Sequence, residues 1–170
     1  MAELPIRRYR SADEDRVLEL HEEALRDVDA YVEGVSDPDL EDIEGEYLGS
    51  GGEFLVGRLR GRIVAMGAFR PVAERTASAF DSLARPAAEV KRMRVDPDHQ
   101  RRGFGGAVYD ELEARARKGG YRELVLDTRP HQTGARRFFE AKGFKEERRV
   151  TVEAFEEPFD LLYYRKPLER

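Results

Sequence analysis

The stretch Val95-Asp96-Pro97-Asp98-His99-Gln100-Arg101-Arg102-Gly103-Phe104-Gly105-Gly106 joins a predicted strand to a predicted helix, and its reading decides the fold. Upstream, Glu89 to Val95 reads as a strand closed by Asp96-Pro97. Downstream, a helix starts near Gly103 and carries Val108, Leu112 and Ala116 at helical spacing as far as Gly119-Gly120. Glycines at such a junction let the backbone approach a ligand closely, and the free N–H groups of a helix N-terminus form a site for phosphate. One charge at an exposed helix N-terminus gains only about 0.3 to 1 kcal/mol, so useful affinity requires several donors plus cations. Arg101 and Arg102 supply cations immediately before the glycines, which counts against a turn that merely packs helix on strand. Dinucleotide binding is a sharper alternative, because Asp127 ends the next strand where a ribose-binding acid would stand. Spacing argues against it. Val108 occupies the place of the third glycine of G-x-G-x-x-G, and the residues Asp96 to Arg102 separate the strand from Gly103 where a tight turn is required.

Working outward, Leu4 to Arg10 is β-like, and Ser11 with Glu14 forms an S-x-x-E capping box ahead of a helix whose apolar face carries Val17, His21, Ala24 and Val28. Asp37-Pro38 starts a second helix with Leu40, Ile43 and Tyr47 on one face, ended by Gly49-Ser50-Gly51-Gly52. Phe54 to Leu59 and Ile63 to Phe69 form a hairpin about Arg60-Gly61. Val72 to Ala88 is expected to be a long loop. Beyond the central helix come a strand at Tyr121 to Leu126, a short helix at Thr133 to Lys142 stopped by Gly143, and strands around Phe144 to Ala154 and Phe159 to Lys166. The order β-α-α-β-β-β-α-β-α-β-β fits an α+β (mixed α/β) fold. It has one mixed sheet of about seven strands flanked by about four helices, with residues 1–170 as a single domain.

Composition narrows the function. With 170 residues the chain fits one domain that buries about two thirds of its unfolded surface. The absence of Cys excludes a disulfide framework, Cys-ligated zinc and a covalent thioester on the enzyme. No apolar run is long enough to span a bilayer and the N-terminus lacks an apolar signal core, so a cytoplasmic location without membrane contact is expected. A net charge of −5 opposes general nucleic-acid binding. His21, His99 and His131 show no metal-ligand spacing, so no metal is expected. The aromatic cluster Phe155, Phe159, Tyr163 and Tyr164 reads as core or, in a homodimer, as subunit surface.

Gln100-Arg101-Arg102-Gly103-Phe104-Gly105 resembles the Q/R-x-x-G-x-G/A pyrophosphate motif of the GNAT superfamily of acyl-CoA N-acyltransferases, and V-D-P-D-H resembles its lead-in. Ala135-Arg136-Arg137-Phe138-Phe139-Glu140-Ala141-Lys142-Gly143-Phe144 is similar to the family's A-x-x-F-Y-x-x-x-G-F element. The resemblance runs from about Glu53 to Phe144. It implies acetyl-CoA as acyl donor, with a bulged strand offering backbone groups of Met93, Arg94 and Val95 to the pantetheine arm. Amides of Arg101 to Gly106 would hold the pyrophosphate, with Gln100 opening the motif. Gln132 stands where an Asn is common, and Phe139 where many members place a Tyr acid.

The chemistry sets further requirements. An amine of pKa near 10.4 is about one part in 10³ free base at pH 7, a deficit of roughly 4 to 5 kcal/mol that a general base offsets. Glu89, on the strand before the cradle, resembles the strand glutamate used as base by some members; Glu53, Glu74, Asp81 and Asp127 are alternatives. With Phe139 at the usual acid position, the departing thiolate is left to water, to Tyr109 or another Tyr, or to leave unprotonated. Three readings stay open: acetylation of a small-molecule amine, acetylation of a protein Lys or N-terminus, and acyl-CoA binding without turnover. The acidic run Asp37 to Glu46 suits a cationic amine, whereas Arg136, Arg137, Arg148 and Arg149 suit an anionic acceptor.

Overall fold

The structure is a computed structural model that describes residues 4–28, 37–153 and 157–168. Seven strands form one sheet in the order β1-β2-β3-β4-β5-β7-β6: β1 Ile6–Arg8, β2 Glu53–Leu59, β3 Arg62–Pro71, β4 Ala87–Val95, β5 Glu123–Thr128, β6 Lys145–Val152 and β7 Phe159–Pro167. The helices are α1 Glu14–Asp27, α2 Pro38–Glu41, α3 Glu74–Ala77, α4 Phe104–Lys118 and α5 Thr133–Ala141. The mixed α/β architecture anticipated from the sequence is therefore present. The chain divides within β4 into two compact units, Met1–Arg70 with Val90–Lys118, and Pro71–Glu89 with Gly119–Arg170. No helix among the described residues is long and apolar enough to cross a membrane.

In the first unit β1, β2 and β3 pair antiparallel. The β2–β3 turn places Arg60 at φ 51 and Gly61 at φ 80, the two positive angles that a two-residue hairpin loop requires. One face of these strands packs on α1, α2 and the following turn, burying Val17, Leu20, Leu40, Ile43, Tyr47, Phe54, Val56 and Met66. The other face receives α4. A Cβ on Gly67 would collide with Met93 Sδ and come within 2.9 Å of Leu112 and 3.0 Å of Val108, so this glycine sets how closely α4 approaches the strands.

Two local expectations need correction. The carboxylate that reaches back at the first helix is Asp13, not Glu14. It accepts the Arg10 amide at 2.9 Å and a two-pronged pair from Arg7 at 2.7 and 2.8 Å, and a 3₁₀ turn, Ser11–Asp13, precedes α1. The second helix is broken: α2 ends at Glu41, and a π-helical turn over Glu44–Leu48 follows. The Asp42 side chain accepts the Gly45 amide at 3.1 Å, a local bond that competes with helix continuation. Leu40, Ile43 and Tyr47 are nevertheless all buried, as their spacing implied.

In the second unit the start of β4 runs parallel to β5, with Ala87 to Glu89 opposite Glu123 to Val125, and β5, β7 and β6 follow antiparallel. The stretch read as a loop before β4 contains the single turn α3. Glu123 is buried and takes a bidentate pair from Arg165 at 2.5 and 2.9 Å, which also donates to the Ser82 carbonyl at 2.6 Å. Tyr164 is fully buried, its hydroxyl donating to Glu140 and accepting from Arg136. Tyr163 meets Phe80 edge-on, and Phe159 lies under the Arg129 guanidinium at 3.8 Å. Phe155, the fourth aromatic of that cluster, lies outside the described residues, as does Ala154.

Candidate active site

The loop between β4 and α4 begins on fixed points. The Asp96 amide donates to the Val64 carbonyl at 2.8 Å, while the Asp96 carboxylate accepts the Asp98 amide at 2.9 Å and Arg16 Nη2 at 2.9 Å. Pro97–His99 makes one 3₁₀ turn, and Gln100 leaves it extended. Arg101 then takes φ 63 and Gly103 φ 81, two left-handed residues that turn the chain sharply into α4. Such alternation curls successive N–H groups into a concave anion site. A Cβ at Gly103 would meet nothing within 4 Å, so the space above the turn is open.

The helix behind this loop is well suited to an anion. Its first intrahelical bond runs from the Ala107 amide to the Gly103 carbonyl, so the amides of Phe104, Gly105 and Gly106 precede the helical ladder. No Asp or Glu stands in the first turn to neutralise the positive end of this 15-residue helix, and Arg101 and Arg102 are exposed beside it. Phe104 is buried and anchors the turn by its ring. An open cleft of about 630 Å³ adjoins the turn, lined by Leu59, Arg60, Arg62, Val64, His99, Arg102 and Phe104, with no carboxylate among them. Donors, cations and open space together fit a pyrophosphate.

Met93, Arg94 and Val95 form the last three residues of β4. Arg92 just before them has φ 59, a kink within the strand. A non-glycine residue held there is strained and needs its side chain pinned. Asp39 does so, accepting Arg92 Nε at 2.9 Å and Nη2 at 2.7 Å, and Asp37 adds a contact at 3.2 Å. Burial works against ionisation of Asp39, but hydrogen bonds from Arg92 and Tyr47 outweigh it and hold its pKa well below the ordinary carboxylate range. Neither Arg92 nor Asp39 carried a local signal in the sequence, since they meet across 53 positions. Replacing Asp39 by Ala leaves the Arg92 guanidinium with Asp37 alone and is expected to cost about 3 kcal/mol in urea unfolding, the lower end for a broken buried pair. Because the folded pKa lies below the unfolded value of about 3.9, this contribution is complete above about pH 4 and is lost as pH falls through the folded pKa. Asp39→Ala should therefore lose part of the native chain's acid sensitivity below pH 4.

Glu89 sits on the second unit's part of β4 and is buried. The Ala73 amide donates to it at 3.3 Å and the Thr76 hydroxyl at 3.2 Å. The other carboxylates considered for the base role have different surroundings. Glu53 is held by Arg8 at 2.9 Å and by Arg115 at 3.2 Å, while Glu74, Asp81 and Asp127 are exposed. Tyr109 packs on the inner side of α4 with its hydroxyl donating to Glu113 at 2.8 Å; burial and then Glu113 push its pKa up, which makes it a poor proton donor. Tyr109→Phe is expected to cost about 1 kcal/mol of stability and leave kcat unchanged. A fall in kcat with intact folding would return the acid role to it. Gln132 precedes α5, its carbonyl accepting from the Thr128 hydroxyl at 2.8 Å, and Phe139 is buried edge-on to Phe138 and Phe144. His21 binds Asp37, and no cluster of metal-ligating side chains occurs among the described residues.

The sequence pattern of the Acetyltransferase (GNAT) family matches residues 15–144. The human protein N-acetyltransferase 8 is 30% identical over 116 residues, covering 68% of this chain and 48% of that protein, so the chain spans about half the length of this curated relative. A GNAT-family acetyltransferase from Staphylococcus aureus Mu50 superposes with a TM-score of 0.80 at 21% identity, over 98% of this chain and 100% of that one. The protein yncA of Salmonella typhimurium, solved with its cofactor acetyl-CoA, superposes with a TM-score of 0.77 at 21% identity, over 99% and 96%. The two solved structures share the fold, and the sequence match over most of the chain carries the assignment: this protein belongs to the GNAT family of acetyltransferases.

Proposed function

We propose that this chain transfers the acetyl group of acetyl-CoA to the primary amine of a small molecule. The observation that carries the reading is the open N-terminus of α4, with the left-handed turn Arg101 to Gly103 in front of it and no acid in its first turn. In this reading, amides from Arg101 to Gly106 hold the pyrophosphate, and backbone groups of Met93 to Val95 take the pantetheine arm. The kink at Arg92 supports that role, because its left-handed backbone departs from regular strand geometry just where strand-like contacts to a ligand would begin. Bound acetyl-CoA supplies an acyl carbon already activated by its thioester.

Glu89 is the proposed base, accepting the proton that the amine loses as its nitrogen bonds to the acyl carbon. The carbon–sulfur bond breaks and its electron pair leaves on sulfur, whose thiol pKa of about 8.5 makes protonation by water sufficient. Support for Glu89 is its place on β4 and its hydrogen bonds from Ala73 and Thr76; Glu53, equally buried, is instead paired with Arg8 and Arg115, and the other rivals are exposed. Acetyl-CoA turnover should be compared on small amines and on peptides with a free N-terminus or Lys. The proposal predicts CoA release with the small amines; release with peptides alone would move the acceptor to the protein class.

A further inference from the structure

Two guanidiniums behind the kink of β4, Arg92 and Arg94, share two carboxylates unevenly. Arg92 and Arg94 both reach toward α1 and α2, whereas Met93 between them packs with Val108 and Leu112 of α4 around Gly67. Arg92 takes both available carboxylates, Asp39 and Asp37. Arg94 receives less: its Nε donates to His21 Nδ1 at 3.3 Å and its Nη1 to the Met93 carbonyl at 3.0 Å. Because His21 Nδ1 accepts that bond, the ring proton is on Nε2 and is donated to Asp37 at 2.9 Å. Burial, then Arg94 and Arg92, oppose charging of the imidazole against the pull of Asp37, and its pKa is lowered, so His21 is a neutral partner. Among the described residues Arg94 thus makes no direct ion pair, Asp37 and Asp39 attracting it only at longer range, and its outer N–H groups can take another acceptor. Burial, followed by repulsion from Arg92, lowers its pKa to about 10, so it is still charged at neutral pH.

A partly buried guanidinium whose direct partners are a neutral ring and a backbone carbonyl gains from an anion that takes its remaining N–H groups. Its planar fork matches a carboxylate with two parallel hydrogen bonds. Resting on the acetyl-transfer reading above, we infer that Arg94 receives a carboxylate carried by the acceptor, so that the amine acetylated belongs to an amino acid. The backbone of this strand segment serves the acyl donor, and its side chain projects to the α1 and α2 side to hold the acceptor.

The test compares free L-amino acids with their C-terminal amides as acceptors, by CoA release, in the native chain, Arg94→Met and Arg94→Lys. Losing one partner of a desolvated charge pair should lower kcat/KM for the acids by about 10²-fold in Arg94→Met. The amides should be poor substrates of all three proteins, the ratio of acid to amide kcat/KM should fall in Arg94→Met, and Arg94→Lys should recover part of the acid activity. Folding is read separately: the preferred acid at millimolar concentration should raise the Tm of the native chain and not that of Arg94→Met. Amides turned over as well as acids by the native chain, or both lowered alike by Arg94→Met, would overturn the inference and leave acetyl transfer standing. Should no amine release CoA, acetyl transfer itself fails, and the Tm comparison still decides: a native-only shift supports the carboxylate site, and no shift removes it.

Discussion

Gly105→Glu should abolish useful acetyl-CoA binding while leaving the fold intact. Gly105 is in the first turn of α4, where the helix presents unpaired amides and no acid. A carboxylate there completes the helix dipole internally and is worth about 0.3 to 1 kcal/mol to the helix. The same charge repels the pyrophosphate and occupies its donors, and like charges brought together at a binding site cost several kcal/mol, about 10³-fold in affinity. The opposite signs distinguish this from general damage. Calorimetry should show loss of acetyl-CoA binding, and thermal unfolding an unchanged or slightly higher Tm. Binding retained at native affinity would place the donor away from α4.

Glu89→Gln should lower kcat by about 10² to 10⁴-fold, the usual worth of a positioned base. The substitution keeps the shape and an acceptor oxygen for the Ala73 amide, and the Thr76 hydroxyl can turn to accept from the new NH2, but the amide cannot take a proton. Acetyl-CoA affinity should be unchanged, because the proposed cradle, Arg101 to Gly106, follows the far end of β4. A drop in affinity equal to the drop in turnover would make Glu89 a structural residue. An unchanged kcat would pass the role to another carboxylate or to water.

The residues that were legible in the sequence are those whose partners are close along the chain. Arg60-Gly61 announced its hairpin because a two-residue loop needs two positive φ angles, and the turn into α4 was legible because glycines, arginines and a helix start fall within a few positions. The order of strands and long helices followed from apolar periodicity. Boundaries moved where a neighbouring side chain intervened: Arg7 makes Asp13 rather than Glu14 the capping acid, and Asp42 breaks the second helix by binding Gly45. Least legible was the support of the site. The left-handed Arg92, its lock on Asp39, and the uneven sharing of carboxylates between Arg92 and Arg94 depend on contacts between residues far apart in sequence, and no periodicity encodes them. The aromatic at the usual acid position, Phe139, was readable as a departure, and its burial between Phe138 and Phe144 shows the ring used for packing.

The most direct test of acetyl transfer is a single-turnover mixture of the protein, acetyl-CoA and a pool of primary amines, followed by mass spectrometry of the products. The account predicts one N-acetylated amine for each CoA released, with release dependent on the amine. Acetyl-CoA that binds but stays intact in the presence of every amine would contradict it and leave a binding protein on an acetyltransferase fold.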